Sequence, residues 1–163
     1  MPDDVGAFEP AHFRQVLGHF CTGVAVVTAM HGDQPIGLTI QSLTSVSLVP
    51  PLVSICPAKA SSSWPRIKAS GAFCINILRE DQEAVSRAFA AKDGDRFSRV
   101  GWRCAPVTGS PLLDDVLAWV DCRTQAEHDA GDHVIALGRV VGLGVMHQGW
   151  PLLFYRGGYG RLD

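Results

Sequence analysis

Four stretches of this sequence carry side chains able to do chemistry. In Gly37-Leu38-Thr39-Ile40-Gln41-Ser42-Leu43 a glycine adjoins three polar residues. At strand spacing Thr39 and Gln41 share one face, and Leu38 and Ile40 the other. A polar face beside a glycine that lets a ligand come close to the backbone can hydrogen-bond the edge of a flat ring. The alternative is the solvated face of an edge strand. Ser61-Ser62-Ser63-Trp64-Pro65 has the composition of a helix N-terminus. Free helix N–H groups beside three hydroxyls suit a phosphate, though plain capping uses the same residues. Arg96, in Gly94-Asp95-Arg96-Phe97, can add a charge-assisted contact to such an anion, or be solvated or paired with the aspartates around it. His128 and His133 flank Asp129 and Asp132, a metal-like spacing. Gly131 reads as a turn between them and no third ligand is evident, so no metal is expected. Gly142, Gly144 and Gly149 do not have dinucleotide-fingerprint spacing, and neither a P-loop nor G-x-S-x-G is present. Phosphate-cradling loops of those kinds and serine-nucleophile chemistry are therefore excluded.

The elements that must position these residues read mostly as short strands. A first helix is expected after Pro10, with Phe13, Val16, Leu17 and Phe20 at i, i+3, i+4 and i+7. The period then changes to that of strands over 22–29, 36–43, 44–48 and 52–56, punctuated by His31-Gly32-Asp33-Gln34 and Pro50-Pro51. A helix from the serine triplet to Ser70-Gly71 follows, then a strand over 72–78. An amphipathic helix over 80–91 turns Val85, Ala88 and Phe89 inward, and a polar loop spans 92–97. Further strands are expected over 116–124, 133–146 and 151–155. The 133–146 run is long, and Gly138, Gly142 and Gly144 suggest bulges or bends. The pattern supports a β-rich fold, an antiparallel barrel of six or seven strands with two or three helices over its open ends.

Composition narrows the function class. The 163 residues have the length of one domain, taken here as 1–163. Apolar residues at 47% and charged residues at 18% exclude a disordered chain. A net charge of −2 with no basic stripe argues against nucleic acid. No apolar run is long enough for a membrane helix, and the acidic N-terminal segment lacks the apolar core of a signal peptide. Eleven arginines against three lysines favour planar contacts with phosphates or carboxylates. The five cysteines form no C-x-x-C pair. Cys21, Cys56, Cys74 and Cys122 lie in apolar segments and are expected to be buried thiols in a reducing cytoplasm.

Taken in order, the segments C-T-G-V-A-V-V-T, P-I-G-L-T-I-Q-S-L-T-S-V-S-L-V-P-P-L-V-S-I-C, S-S-S-W, F-C-I-N-I-L, G-D-R-F, G-D-H and P-L-L-F-Y-R-G-G-Y resemble the flavin reductase-like family. Its members are small reductase components of two-component flavin-dependent monooxygenases. The likeness runs from about Phe13 to Tyr159 and is strongest to reductases serving phenol-type and steroid-ring hydroxylases.

The resemblance implies a Greek-key split β-barrel, the FMN-binding split barrel, working as a homodimer with flavin near the subunit interface. It implies that Pro35, Ile36, Gly37, Leu38, Thr39, Gln41 and Ser42 face the isoalloxazine, with Cys56, Pro57 and Ala58 along the same cofactor. Ser62 and Ser63 would hold the phosphate, and Arg96 and Phe97 would close that end. His133, the residue nearest to a catalytic one, and Tyr155, Arg156 and Gly157 would face the nicotinamide nucleotide. For His133 the alternative is a turn histidine bonded to Asp132 or to backbone. Many relatives carry Asn at Gln41 and an acid at Val49. The first change keeps an amide and bears on FMN against FAD, and the second bears on the turn. The implied activity is hydride transfer from NADH, or NADPH, to flavin N5 of FMN or FAD, with reduced flavin diffusing to a separate oxygenase. Two rivals remain open: a flavin-binding split-barrel protein without NADH reductase activity, either an electron carrier or pyridoxamine-phosphate-oxidase-like, and a non-enzymatic binding module.

Overall fold

The computed structural model describes residues 7–163; residues 1–6, the start of the acidic N-terminal segment, lie outside the described residues. The elements run α1 (Pro10–Leu17), β1 (Thr22–Gly23), β2 (Ala25–His31), β3 (Gln34–Ile40), β4 (Thr44–Leu48), β5 (Pro51–Ile55), α2 (Trp64–Ser70), β6 (Ala72–Ile77), α3 (Glu83–Ala90), a 3-10 turn (Arg96–Arg99), β7 (Trp102–Cys104), β8 (Pro111–Leu113), β9 (Ala118–Ala130), β10 (His133–Val145), β11 (Leu153–Tyr155) and β12 (Gly158–Gly160). Seven strands form one antiparallel sheet in the order β3-β2-β6-β9-β10-β5-β4. The strands β3 and β4 follow each other in the chain yet form its two opposite edges, so the barrel is split between them. Small sheets β1-β11-β12 and β7-β8 lie outside it.

Burial explains the run-like composition of the central strands. Val27, Ala29, Phe73, Ile75 and Ala136 face one apolar cluster, which α2 closes with Trp64 and Ile67. Val26 and Cys74 face a second cluster with Phe89 of α3 and Leu112 and Leu113 of β8. Strands buried on both faces lose their polar alternation, and β2 and β6 accordingly read as near-continuous apolar runs. Gly138 is required where β10 crosses this interior. A Cβ there would lie 2.8 Å from the Phe73 ring and 3.1 Å from Cβ of Cys122.

The expected bends in β10 are bulges within one 13-residue strand. Its register with β9 shifts between Leu137 and Gly138, and again between Val140 and Gly142. Each shift adds one residue to one strand and reverses which side chains face the interior. The strand β9 extends to Ala130, well past the expected 124, and β7, β8 and β12 appear where no element was expected. In α3 Ser86 is buried together with Val85 and Phe89, while Ala88 is only half-buried.

Two expectations about burial fail. The helix α1 forms, but it buries none of its residues, and Phe13, Val16, Leu17 and Phe20 are all exposed. Among the described residues their stripe has no partner within one chain. Of the cysteines, Cys74 and Cys122 are buried, Cys56 is half-buried, and Cys21 and Cys104 are exposed. Burial, reinforced by nearby Asp121, raises the Cys74 thiol far above its ordinary value and pushes Cys122 up to about 12. Both stay protonated and inert at neutral pH.

Buried polar side chains tie the layers together. Asn76, fully buried, donates to the carbonyl of Val26 at 3.0 Å and to Thr28 Oγ1 at 3.1 Å, and accepts from the Leu113 N–H at 2.8 Å. This joins β2, β6 and β8. Replacing Asn76 with alanine strands the Leu113 donor in an apolar layer. Asn76→Ala is expected to lower unfolding free energy by about 3 kcal/mol, read as a fall in the urea midpoint at unchanged slope.

Candidate functional site

The edge strand β3 organises the site, because among the described residues its only hydrogen-bonded neighbour is β2. In an antiparallel strand alternate residues turn N–H and C=O to opposite sides. The carbonyl of Gly37 faces away from β2, since it accepts from Arg96 Nη1 at 2.8 Å. By the same alternation Thr39 turns its backbone groups to the open side.

Two cavities lie end to end along this edge. One, of about 240 Å³, is lined by Pro35, Ile36 and Gly37, Ser62 and Ser63, Arg66, and Lys92, Gly94, Asp95, Arg96 and Phe97. The other, of about 390 Å³, is lined by Leu38, Thr39, Ile40, Gln41, Ser42, Cys56, Pro57, Ala58, Ser61 and His133. Together they bring into one groove every expected flavin-side residue and His133. A more apolar cavity of about 640 Å³ shares Gln41, Ser42 and Cys56 with the second and extends to Phe20 and Cys21.

The cation-rich end differs in detail from expectation. The cap of α2 is supplied by Ser61, whose Oγ accepts from the N–H groups of Ser63 and Trp64, each at 3.2 Å. Ser62 is exposed, and Ser63 is buried with its Oγ accepting from Arg96 Nη1 at 2.6 Å. Arg96 is neither solvated nor paired with its aspartates. It also donates from Nη2 to the Ala91 carbonyl at 2.6 Å, so one guanidinium joins β3, the start of α2 and the end of α3. Asp95 is engaged instead with the N–H groups of Phe97 and Ser98, at 3.1 and 3.2 Å. Phe97 stands edge-on to Phe89, with ring centroids 4.9 Å apart. Arg66 and Lys92 were not picked out as site residues from the sequence. The signal was present: Lys92 opens the same loop as Arg96, and Arg66 lies one helical turn after Ser63.

At the other end, Ser42 Oγ accepts from the Cys56 N–H at 2.9 Å and joins two segments of the wall. The face holding Thr39 is not solvated. The Thr39 hydroxyl donates to the Ser86 carbonyl on α3 at 2.7 Å, and Gln41 is exposed beyond the strand end, accepting from Thr22 Oγ1 at 3.4 Å. Gly37 serves this packing: a Cβ there would lie 2.9 Å from the Phe89 ring. The close approach that the glycine allows is therefore by α3.

His133 opens β10 after the Gly131 turn (φ +75°). Its Nδ1 lies 2.7 Å from Asp132 Oδ1, and this contact holds the Asp132 carboxyl below its usual range. A carboxylate only accepts, so Nδ1 carries the proton and Nε2 remains available. His133 is thus a turn histidine bonded to Asp132 that also lines the second cavity. The neighbouring wall is pinned by the Val134 N–H on the Pro57 carbonyl at 3.1 Å and the Lys59 N–H on the Asp132 carbonyl at 2.9 Å. Tyr155, Arg156 and Gly157 are not gathered around these cavities. They form the β11–β12 turn, where the Arg156 N–H donates to the Gly18 carbonyl at 2.8 Å and Tyr155 meets the His19 ring edge-on. His128 is exposed, opposite Ile135, and among the described residues no three His, Cys, Asp or Glu side chains converge as metal ligands.

Comparison with known proteins agrees with this geometry. The sequence model of the flavin reductase like domain matches residues 17–163. The reductase subunit HsaB of a flavin-dependent monooxygenase from Rhodococcus jostii (strain RHA1) is 46% identical over 157 residues, which covers 96% of this chain and 80% of that protein. A nitrilotriacetate monooxygenase component B from Mycobacterium thermoresistibile superposes with a TM-score of 0.91 at 46% identity, over 94% of this chain and 86% of that one. The Streptomyces globisporus NADH:FAD oxidoreductase SgcE6, solved with NAD and FAD fragments, has a TM-score of 0.90 at 35% identity over 98% of both chains. A split antiparallel sheet, a groove along its open edge and likeness across nearly all of the sequence converge on one conclusion: the chain belongs to the flavin reductase-like domain family.

Proposed function

We propose that this protein is an NAD(P)H:flavin oxidoreductase that reduces FMN or FAD and supplies the reduced flavin to a separate monooxygenase component. The observation that carries the reading is the groove along β3, with hydroxyls and cations at one end and open backbone groups, Gln41, Ser42 and His133 at the other. That donor set fits a flavin. Ser62, Ser63, Arg66, Lys92 and Arg96 suit a phosphate, and the open edge of Thr39 with the Gln41 amide suits the polar rim of the ring. When bound, the flavin takes up hydride from a dihydronicotinamide and carries the electron pair onward.

The chain's own residues bind and orient. The edge of β3 offers donors fixed before the ligand arrives, so little reorganisation is needed to stabilise negative charge on the ring's polar side. The walls at Ser42–Cys56 and Pro57–Val134 are pinned by hydrogen bonds and keep water from one side of the ring. Asp132 holds the His133 ring through Nδ1, leaving Nε2 to accept from the nicotinamide carboxamide. Tyr155, Arg156 and Gly157 face the dinucleotide from the hairpin beside α1. NADH is the expected donor, with NADPH as the alternative.

Residues 1–163 act as one domain and the protein as a homodimer. The exposed stripe of Phe13, Val16, Leu17 and Phe20 supports the second copy, which would cover it. No helix among the described residues is long and apolar enough to cross a membrane. The place of action is the cytoplasm, where the dinucleotide pool lies.

Steady-state oxidation of NADH and NADPH, each with FMN, FAD and riboflavin, tests the activity. Flavin binding without turnover would favour the carrier alternative, and neither binding nor turnover would refute the reading. His133→Ala is expected to raise the NADH KM several-fold with flavin affinity nearly unchanged; unaltered NADH kinetics would remove His133 from the site. Arg96→Ala is expected to raise the FMN KM by about tenfold or more, from the loss of a charge-assisted contact worth roughly 1.5–3 kcal/mol. Light scattering on a sizing column should give twice the chain mass, and a Phe13→Glu, Leu17→Glu double variant should shift it toward the monomer.

A further inference from the structure

The start of α2 is held from outside the flavin groove. Trp64, the first residue of α2, follows Ser63 directly and is only 4% exposed. Its indole Nε1 donates to Glu127 Oε2 at 2.9 Å, while Glu127 Oε1 accepts from Lys68 Nζ, one turn further along α2, also at 2.9 Å. Its backbone N–H donates to Ser61 Oγ, and its ring stands edge-on to Phe73 at 6.3 Å. A single carboxylate thus grips both the first residue and the last turn of a seven-residue helix.

The placement of Glu127 depends on the bulge in β9. Thr124 pairs with Gly138 and Ala126 with Leu137, so Gln125 is the extra residue. Before the bulge Cys122 faces the barrel interior; after it the facing residues are Glu127 and its partner Ala136, a buried core residue. Threaded through in unbroken alternation, with Gln125 paired instead of bulged, Ala126 would share the face of Cys122 and Glu127 would point away from α2. The same end of the β9–β10 hairpin fixes the other wall of the groove, through Asp132 to Lys59 and through Val134 to Pro57. Lys59 also pairs with Asp129 on the hairpin.

We propose that Glu127 is a positioning residue for flavin phosphate: by accepting the Trp64 indole N–H it fixes the start of α2, and so holds Ser62 and Ser63 in register with the ring end of the groove. This rests on reading the groove as the flavin site. Glu127 touches no ligand; it acts through Trp64. Its effect therefore falls only on flavins that carry a phosphate, because riboflavin makes no use of the serines.

The test compares KM for FMN and for riboflavin at saturating NADH in the full-length protein. The unaltered protein should prefer FMN. Glu127→Ala should raise the FMN KM about tenfold, leave the riboflavin KM within about twofold, and leave kcat unchanged, as expected for a displaced binding group. Glu127→Gln keeps an oxygen for the indole and should restore the FMN KM. Trp64→Phe keeps an aromatic ring but loses the donor, and should reproduce the alanine phenotype should Glu127→Ala itself fail to fold. Equal rises for FMN and riboflavin, or an unchanged FMN KM in both Glu127→Ala and Trp64→Phe, would overturn the positioning role alone. An unaltered protein that does not distinguish FMN from riboflavin would overturn the phosphate site and this proposal with it.

Discussion

The site depends on one constraint: β3 has a hydrogen-bonding partner on one side only. An open strand edge presents unpaired backbone groups, which attract other strands unless they are covered or used. Here the edge is divided. At Gly37 the Arg96 guanidinium occupies the outward carbonyl, and α3 packs on the adjacent face with Phe89 against the glycine. At Thr39 the outward groups border a cavity. The liability of an edge strand becomes a set of donors and acceptors left open to the cavity, at no cost to the ladder on the opposite side.

The second organising element is the β9–β10 hairpin. Its far end contacts two of the segments that wall the groove, α2 through Glu127 and the 57–59 segment through backbone bonds, and reaches the second cavity itself through His133. Because both strands are long and run through the barrel, these contacts are referenced to the core rather than to mobile loops. A binding groove assembled from four separated segments can then keep one geometry.

Much of this was legible in the residues. The β-branched runs, the turn signals and the glycines of β10 locate most strands, and the seven ordered segments identify the family. The misreadings have physical reasons. Nothing in the local pattern says that Thr39 faces Ser86, since that contact spans 47 residues and is made by tertiary packing. The α1 stripe has helical spacing, but periodicity cannot say whether its partner lies in the same chain. The tip of β9 is mostly polar, and even its inward-facing Glu127 is charged, so its strand character leaves no apolar alternation to read. The three-residue strands β7, β8 and β12 are too short to establish a period. Arg66 and Lys92 were overlooked because each is unremarkable alone and gains meaning only from the shared cavity.

The two bulges of the long hairpin have an evolutionary corollary. Each is a place where the ladder absorbs one extra amino acid, so that the residues on both sides of it keep their faces. Deleting Gln125 would leave Thr124 opposite Gly138 and Ala126 opposite Leu137 in unbroken alternation, with Glu127 still facing inward beside Ala136. The hairpin can thus shed one amino acid at such a place without rebuilding the core, and lineages descended from this barrel could vary its length while keeping what grips the neighbouring helix.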